Sequence, residues 1–185
     1  DLFAGAGFLK PTTTHDKNEV TDIHTQLEKQ GYKIVRGKDA LSKDIYEGKN
    51  IVWLNKESEA KDALKFAIDQ KEDDMSLEDI TRGAIKKLSY KNDKGFFLMV
   101  EGGKIDWSAH SNDGATTLKE VLDFHKTIQA AYEFYLKHPK ETLIVVTADH
   151  ETGGLSLGNG SSTLNTIALG YQKVSQGTLS TLIGK

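Results

Sequence analysis

Apolar and polar positions follow two rhythms along this chain, one of period two and one near 3.6, with glycines or charged clusters where one gives way to the other. Residues 1–7, DLFAGAG, open as a strand and turn on Gly5 and Gly7. Between residues 18 and 30, Val20, Ile23 and Leu27 recur at helical spacing, and Gly31 supplies a C-terminal stop. YKIVR (32–36) and NIVWL (50–54) read as strands, whereas ALKFAID (63–69) suits a strand or a helix equally. Ser76 and Asp79 make a capping-box start to a helix whose apolar positions are Leu77, Ile80, Ala84, Ile85 and Leu88.

The second half is more strongly patterned. GFFLMV (95–100) reads as a buried strand, and Leu118, Val121, Leu122, Ile128, Tyr132 and Tyr135 line one face of a long helix that Pro139 closes. TLIVVTA (142–148) is a further buried strand, so residues 95–148 predict a parallel, right-handed β-α-β unit. Beyond Gly153 the composition shifts to Gly, Ser, Thr and Asn, with weak helical patterns around 163–174 and 178–183. The whole predicts an α/β fold with a mainly parallel sheet and helices on both faces. Residues 1–154 form its core portion, and 155–185 a Gly/Ser-rich loop and the start of an insertion.

Composition narrows the function. The chain of 185 residues is 37% hydrophobic and 28% charged, enough to bury a core, and its net charge of −3 is spread without a basic stripe that would track a nucleic acid. Cysteine is absent, so any chemistry falls to His, Asp, Glu, Ser and Thr. The longest apolar runs fall well short of the roughly 18 residues of a membrane span. The chain starts at Asp1 inside a strand, without an initiator methionine or a signal segment, and is expected to be an excised piece.

Polar residues at the strand ends carry the candidate chemistry. The run 95–100 is followed by Glu101-Gly102-Gly103 and then by KIDWSAHSND, in which Asp106 and His110 lie four apart, on one turn of helix. The run 142–148 ends on Asp149-His150. Parallel neighbours lie roughly 4.8 Å apart and point their carboxyl ends the same way, so Glu101, Asp106, His110, Asp149 and His150 are expected at one rim, as a metal site. Each group alone has a bland reading: Asp149 as a helix cap, Glu101 as a strand-end carboxylate in water. Their conjunction favours metal. His125 shares the register of Val121, Leu122 and Ile128 and is expected to be a core histidine; His15, His24 and His138 are expected in solvent. Gly5-Ala6-Gly7 is a tight turn rather than a phosphate loop, and Trp107 either packs near the ions or covers the strand end.

FFLMVEGGKIDWSAHSND together with LIVVTADHETGG resembles the alkaline phosphatase family in sequence, order and spacing, and DLFAGAGFLKP, KQGYKIV and the helix before Gly95 resemble the stretch that precedes those motifs. The resemblance covers nearly the whole chain to about Gly154. It implies hydrolysis of phosphate monoesters with two zinc ions and one magnesium through a phosphoserine intermediate. Asp106 and His110 then resemble ligands of the zinc that activates water, Asp149 and His150 ligands of the zinc that activates the serine, and Glu101 a magnesium ligand. It further implies a periplasmic or secreted enzyme, with a homodimer of the parent enzyme as a possible assembly.

Departures from the family pattern matter as much. The Asp-Ser-Ala motif of the serine nucleophile is absent, so no catalytic residue is expected in this chain, and no His follows His150 to complete the water-activating zinc site. Trp107 stands where some members have a basic or imidazole side chain. Five ligands divided among three ions complete no set, so the chain is expected to be an inactive fragment of a phosphatase. A related metal-dependent phosphodiesterase or phosphomutase, and a non-catalytic metal-binding module, remain the alternatives.

Overall fold

In this computed structural model the structure describes residues 1–14, 18–40, 50–56, 62–152, 158–163 and 165–184. His15 lies outside them. The chain forms two compact units, one of residues 1–64 and 73–99, the other of residues 65–72 and 100–185.

The first unit is built on a parallel sheet of β1 (Leu2–Gly5), β2 (Tyr32–Arg36) and β3 (Asn50–Leu54), in the order β1-β3-β2. Leu2 pairs with Ile51, and Tyr32 with Asn50. The central place falls to β3 because its run Ile51, Val52, Trp53 and Leu54 is apolar on both faces, as a strand covered on both sides requires. Trp53 donates its indole N–H to the carbonyl of Gly37 at 2.8 Å, so its polar end is satisfied inside the core. Helix α1 (Ile23–Lys29) is capped by Asp22 and ends before Gly31, whose φ of +85° suits glycine. Helix α2 (Leu77–Ser89) starts at the expected Ser76/Asp79 capping box, and its Ile80 joins Val35, Ile51, Trp53 and Met75 in the core. Lys38 reaches the capping carboxylate of Asp79 at 3.2 Å.

His24 departs from expectation. It is half-buried, with Nδ1 2.9 Å from Asp22 Oδ1, Nε2 3.2 Å from the Arg36 guanidinium, and its ring edge-on to Phe8. Its neighbours in sequence are mostly polar, but in space it also meets an aromatic ring and a cation.

The second unit is helical. Helix α3 (Lys104–His110) packs against the long α4 (Gly114–Lys137), and α4 against a 3-10 turn at Ala67–Asp69, which settles the segment that suited strand or helix equally. A two-strand hairpin, β4 (Gly158–Asn159) with β5 (Ser162–Thr163), leads to α5 (Thr166–Leu169) and α6 (Gln176–Ile183). Asp113 caps α4, accepting from the N–H of Thr116 at 3.3 Å and its hydroxyl at 2.7 Å, and ties in the tail by accepting from Gln172 Nε2 and the Gln176 N–H, each at 2.7 Å. Asp69 accepts from the N–H of Ser175 and the hydroxyl of Thr178, both at 2.9 Å.

Two expectations fail here. Neither residues 95–100 nor residues 142–148 belong to a strand ladder, so the predicted β-α-β unit is not formed as paired strands. Phe97 is 88% exposed and Leu143 86%. On α4 the buried side is the small and polar one, with Ala115, Thr116, Thr117, Glu120, Thr127 and Ala130, while Leu118, Val121, Leu122 and Tyr132 of the predicted core face are exposed. His125 is exposed with them. The reason is steric as well as chemical: α3 approaches α4 through Ser108, Ala109 and the loop glycine Gly102, where an added Cβ would lie 2.9 Å from the Phe124 ring. Close helix approach selects small residues, and the large apolar side chains are left on the other side.

Candidate metal centre

Four of the five expected ligands meet within the second unit. Asp106 and His110 lie one turn apart on α3, with His110 Nε2 3.4 Å from Asp106 Oδ1. His150 brings its Nε2 to 3.9 Å from the same oxygen and 3.7 Å from Asp149 Oδ2. Ser108, fully buried, donates to the carbonyls of Lys104 and Ile105, and Asn112, at φ +52°, breaks the chain away toward the Asp113 cap.

Thr152 is a member of the cluster that the sequence reading did not single out. Its hydroxyl donates to Asp106 Oδ1 and lies 3.3 Å from His150 Nδ1. Its place two residues beyond His150 was the available signal. His150 Nδ1 also faces the carbonyl of Glu151 at 2.9 Å, which fixes the ring with Nε2 toward the carboxylates. That carbonyl first, and the Asp149 and Asp106 carboxylates after it, hold the His150 imidazole above its ordinary pKa.

Glu101 stands apart. Its carboxylate lies over Gly103, where Oε1 would be 3.0 Å from an added Cβ, and among the described residues no hydrogen bond or ion pair ties it to the other four.

The donor chemistry fits a zinc ion. Imidazole nitrogens and carboxylate oxygens face one another at 3.4 to 3.9 Å, beyond good hydrogen-bond length. Two tetrahedral ligands at about 2.0–2.1 Å from one zinc ion are themselves roughly 3.3 Å apart. The set is nonetheless open: among the described residues no three His, Asp or Glu side chains converge tightly enough to chelate an ion as they stand. His110, His150 and Asp149 are largely exposed, with only Asp106 two-thirds covered.

The family model described as alkaline phosphatase matches residues 6–180. Alkaline phosphatase 4 of Bacillus subtilis is 42% identical over 137 residues, which are 74% of this chain and 28% of that protein. The cold-active alkaline phosphatase of Shewanella sp. superimposes with a TM-score of 0.74 at 28% identity, over 97% of this chain and 41% of that one. A mutant of TAB5 alkaline phosphatase with Mg bound in its M3 site superimposes with a TM-score of 0.70 at 31% identity, over 89% of this chain and 46% of that one. The chain therefore spans less than half the length of each of these relatives, and it belongs to the alkaline phosphatase family.

Proposed function

We propose that these residues carry the metal-ligand portion of a phosphomonoesterase that works through a phosphoserine intermediate, with the serine and the remaining ligands supplied by a part of the enzyme outside this chain. The observation that carries the reading is the meeting of His110 and His150, from a helix and from a distant segment, on one oxygen of Asp106.

Asp106 and His110 would hold one zinc, Asp149 and His150 a second, and Glu101 a magnesium. Paired cations supply stabilisation of the attacking and leaving oxygens of an in-line displacement. The chain's own residues prepare the place. Thr152 donates to Asp106 Oδ1, and the Glu151 carbonyl orients the His150 ring. The phosphate monoester itself would be bound with groups that lie elsewhere, since the chain has no Asp-Ser-Ala motif and no His after His150.

The two unpaired apolar runs fit the same reading. Residues 95–100 and 142–148 have the composition of strands buried on both faces, yet Phe97, Met99, Leu143 and Val145 are at least 70% exposed. Strands from the rest of the domain would pair with both runs and cover the outer face of α4. Export of the whole enzyme and its assembly as a homodimer extend the proposal on family grounds.

The proposal predicts that the 185-residue protein, with zinc and magnesium added, shows no measurable hydrolysis of p-nitrophenyl phosphate. Hydrolysis that Asp149→Ala abolishes would show instead that this chain is a complete catalyst.

A further inference from the structure

Glu120 lies in the second turn of α4 and is 7% exposed. Its Oε1 accepts the N–H of Ala67, the first residue of the 3-10 turn Ala67–Asp69, across 53 positions of sequence. Immediately before that turn is Phe66, and the Lys104 ammonium sits 3.8 Å from the centre of its ring. The same ammonium lies 4.4 Å from the centre of the Trp107 ring. Lys104 and Trp107 belong to α3, the helix that presents Asp106 and His110.

The contacts form one line. A carboxylate on α4 fixes the start of the turn, the turn fixes an aromatic ring, and that ring holds a cation in the first turn of α3. Cation–π contact of this kind is directional and gains from partial desolvation. Asp69 secures the other end of the turn by its bonds to Ser175 and Thr178, so the ring cannot simply drift with a loose loop.

We propose that Glu120 is a positioning residue for α3: through Ala67 and the Phe66 ring over Lys104, it sets where that helix presents Asp106 and His110. The inference rests on the phosphatase reading only for the task of those two side chains. The mechanical coupling stands on the contacts alone.

Amide hydrogen exchange on the whole chain tests it without metal or substrate. Glu120→Ala is expected to cost Ala67 and the α3 amide of Trp107 about tenfold in protection relative to the amides around Ala130 on the same long helix. Glu120→Gln, whose amide oxygen can still accept from Ala67, is expected to retain it. An equal loss at all three places, or no rescue by Gln, would overturn the proposal. If Glu120→Ala does not fold, Phe66→Leu decides: protection at Trp107 falls while Ala67 keeps its own, and an unchanged Trp107 amide would refute the coupling. Zinc binding is then a separate measurement: a chain that shows the coupling but binds no zinc removes the phosphatase role and leaves Glu120 as the support of α3.

Discussion

Asp113→Ala is expected to destabilise the helical unit by about 3–5 kcal/mol, the largest effect of any single substitution considered. The carboxylate is 7% exposed and accepts from four donors: the amide and hydroxyl of Thr116, the side chain of Gln172 and the amide of Gln176. Loss of an N-cap costs about 0.5–2 kcal/mol, and each buried donor left without an acceptor costs about 1–3 kcal/mol. Because two of the donors belong to the tail, residues 165–184 should lose one of their two anchors together with the cap, the bonds to Asp69 remaining. Burial alone would raise the Asp113 pKa, but the bonds from Gln176, Gln172 and Thr116 outweigh it and hold the carboxyl below its ordinary value of 3.8. The contribution is therefore present above pH 3.8 and is lost as the pH falls through the depressed value. Urea unfolding followed by far-ultraviolet circular dichroism should give a wild-type midpoint whose acid-side decline comes only in strong acid, and an Asp113→Ala midpoint far below it at pH 7.

The second large effect has the opposite sign. Burial pushes the Glu120 carboxyl up from 4.5 to about 7, against the pull of the Ala67 N–H. The nearby carboxylates Asp123 and Asp69 push it up further, and Lys104 opposes them. A raised acid binds its proton more tightly in the folded state, so its contribution is complete below pH 4.5 and is lost as the pH rises toward 7. The shift corresponds to about 3 kcal/mol, which solvent screening reduces to about 2 kcal/mol. Glu120→Gln, neutral at every pH, is expected to be more stable than wild type by about that amount at pH 8 and equal to it at pH 4. Denaturant titrations of both proteins at the two pH values provide the check, and a pH-independent difference would show that ionisation of Glu120 is not its source.

The two predictions share a cause that was out of reach in the sequence. Strand β3 was legible as a strand because its apolar run is short and continuous, and α2 because Ser76 and Asp79 signal its start locally. Asp106 and His110 were legible for the same reason, since a spacing of four on a helix puts both on one side. Partners distant in sequence were not. Nothing around Ala67 announces an acceptor on Glu120, and nothing around Asp113 announces donors from Gln172 and Gln176.

The apolar runs teach a complementary point. Hydrophobic composition states that residues 95–100 and 142–148 avoid water when they can, but it does not state which segment covers them. Likewise the α4 periodicity located two faces correctly, and the choice between them fell to packing: the small face, Ala115 to Ala130, admits α3, while Leu118, Val121 and Leu122 stay exposed. His24 shows the converse, as a histidine among polar neighbours in sequence that is held between Asp22 and Arg36 in space.

Zinc titration calorimetry of the wild-type chain and of Asp106→Ala decides whether this cluster holds metal, because Asp106 is the carboxylate both imidazoles face. Binding weaker than about 1 μM is expected, as partial ligand sets give, and it should be lost in Asp106→Ala. Binding at micromolar strength or tighter would mark a self-sufficient metal module, and binding indifferent to Asp106→Ala would place the ion somewhere other than this cluster.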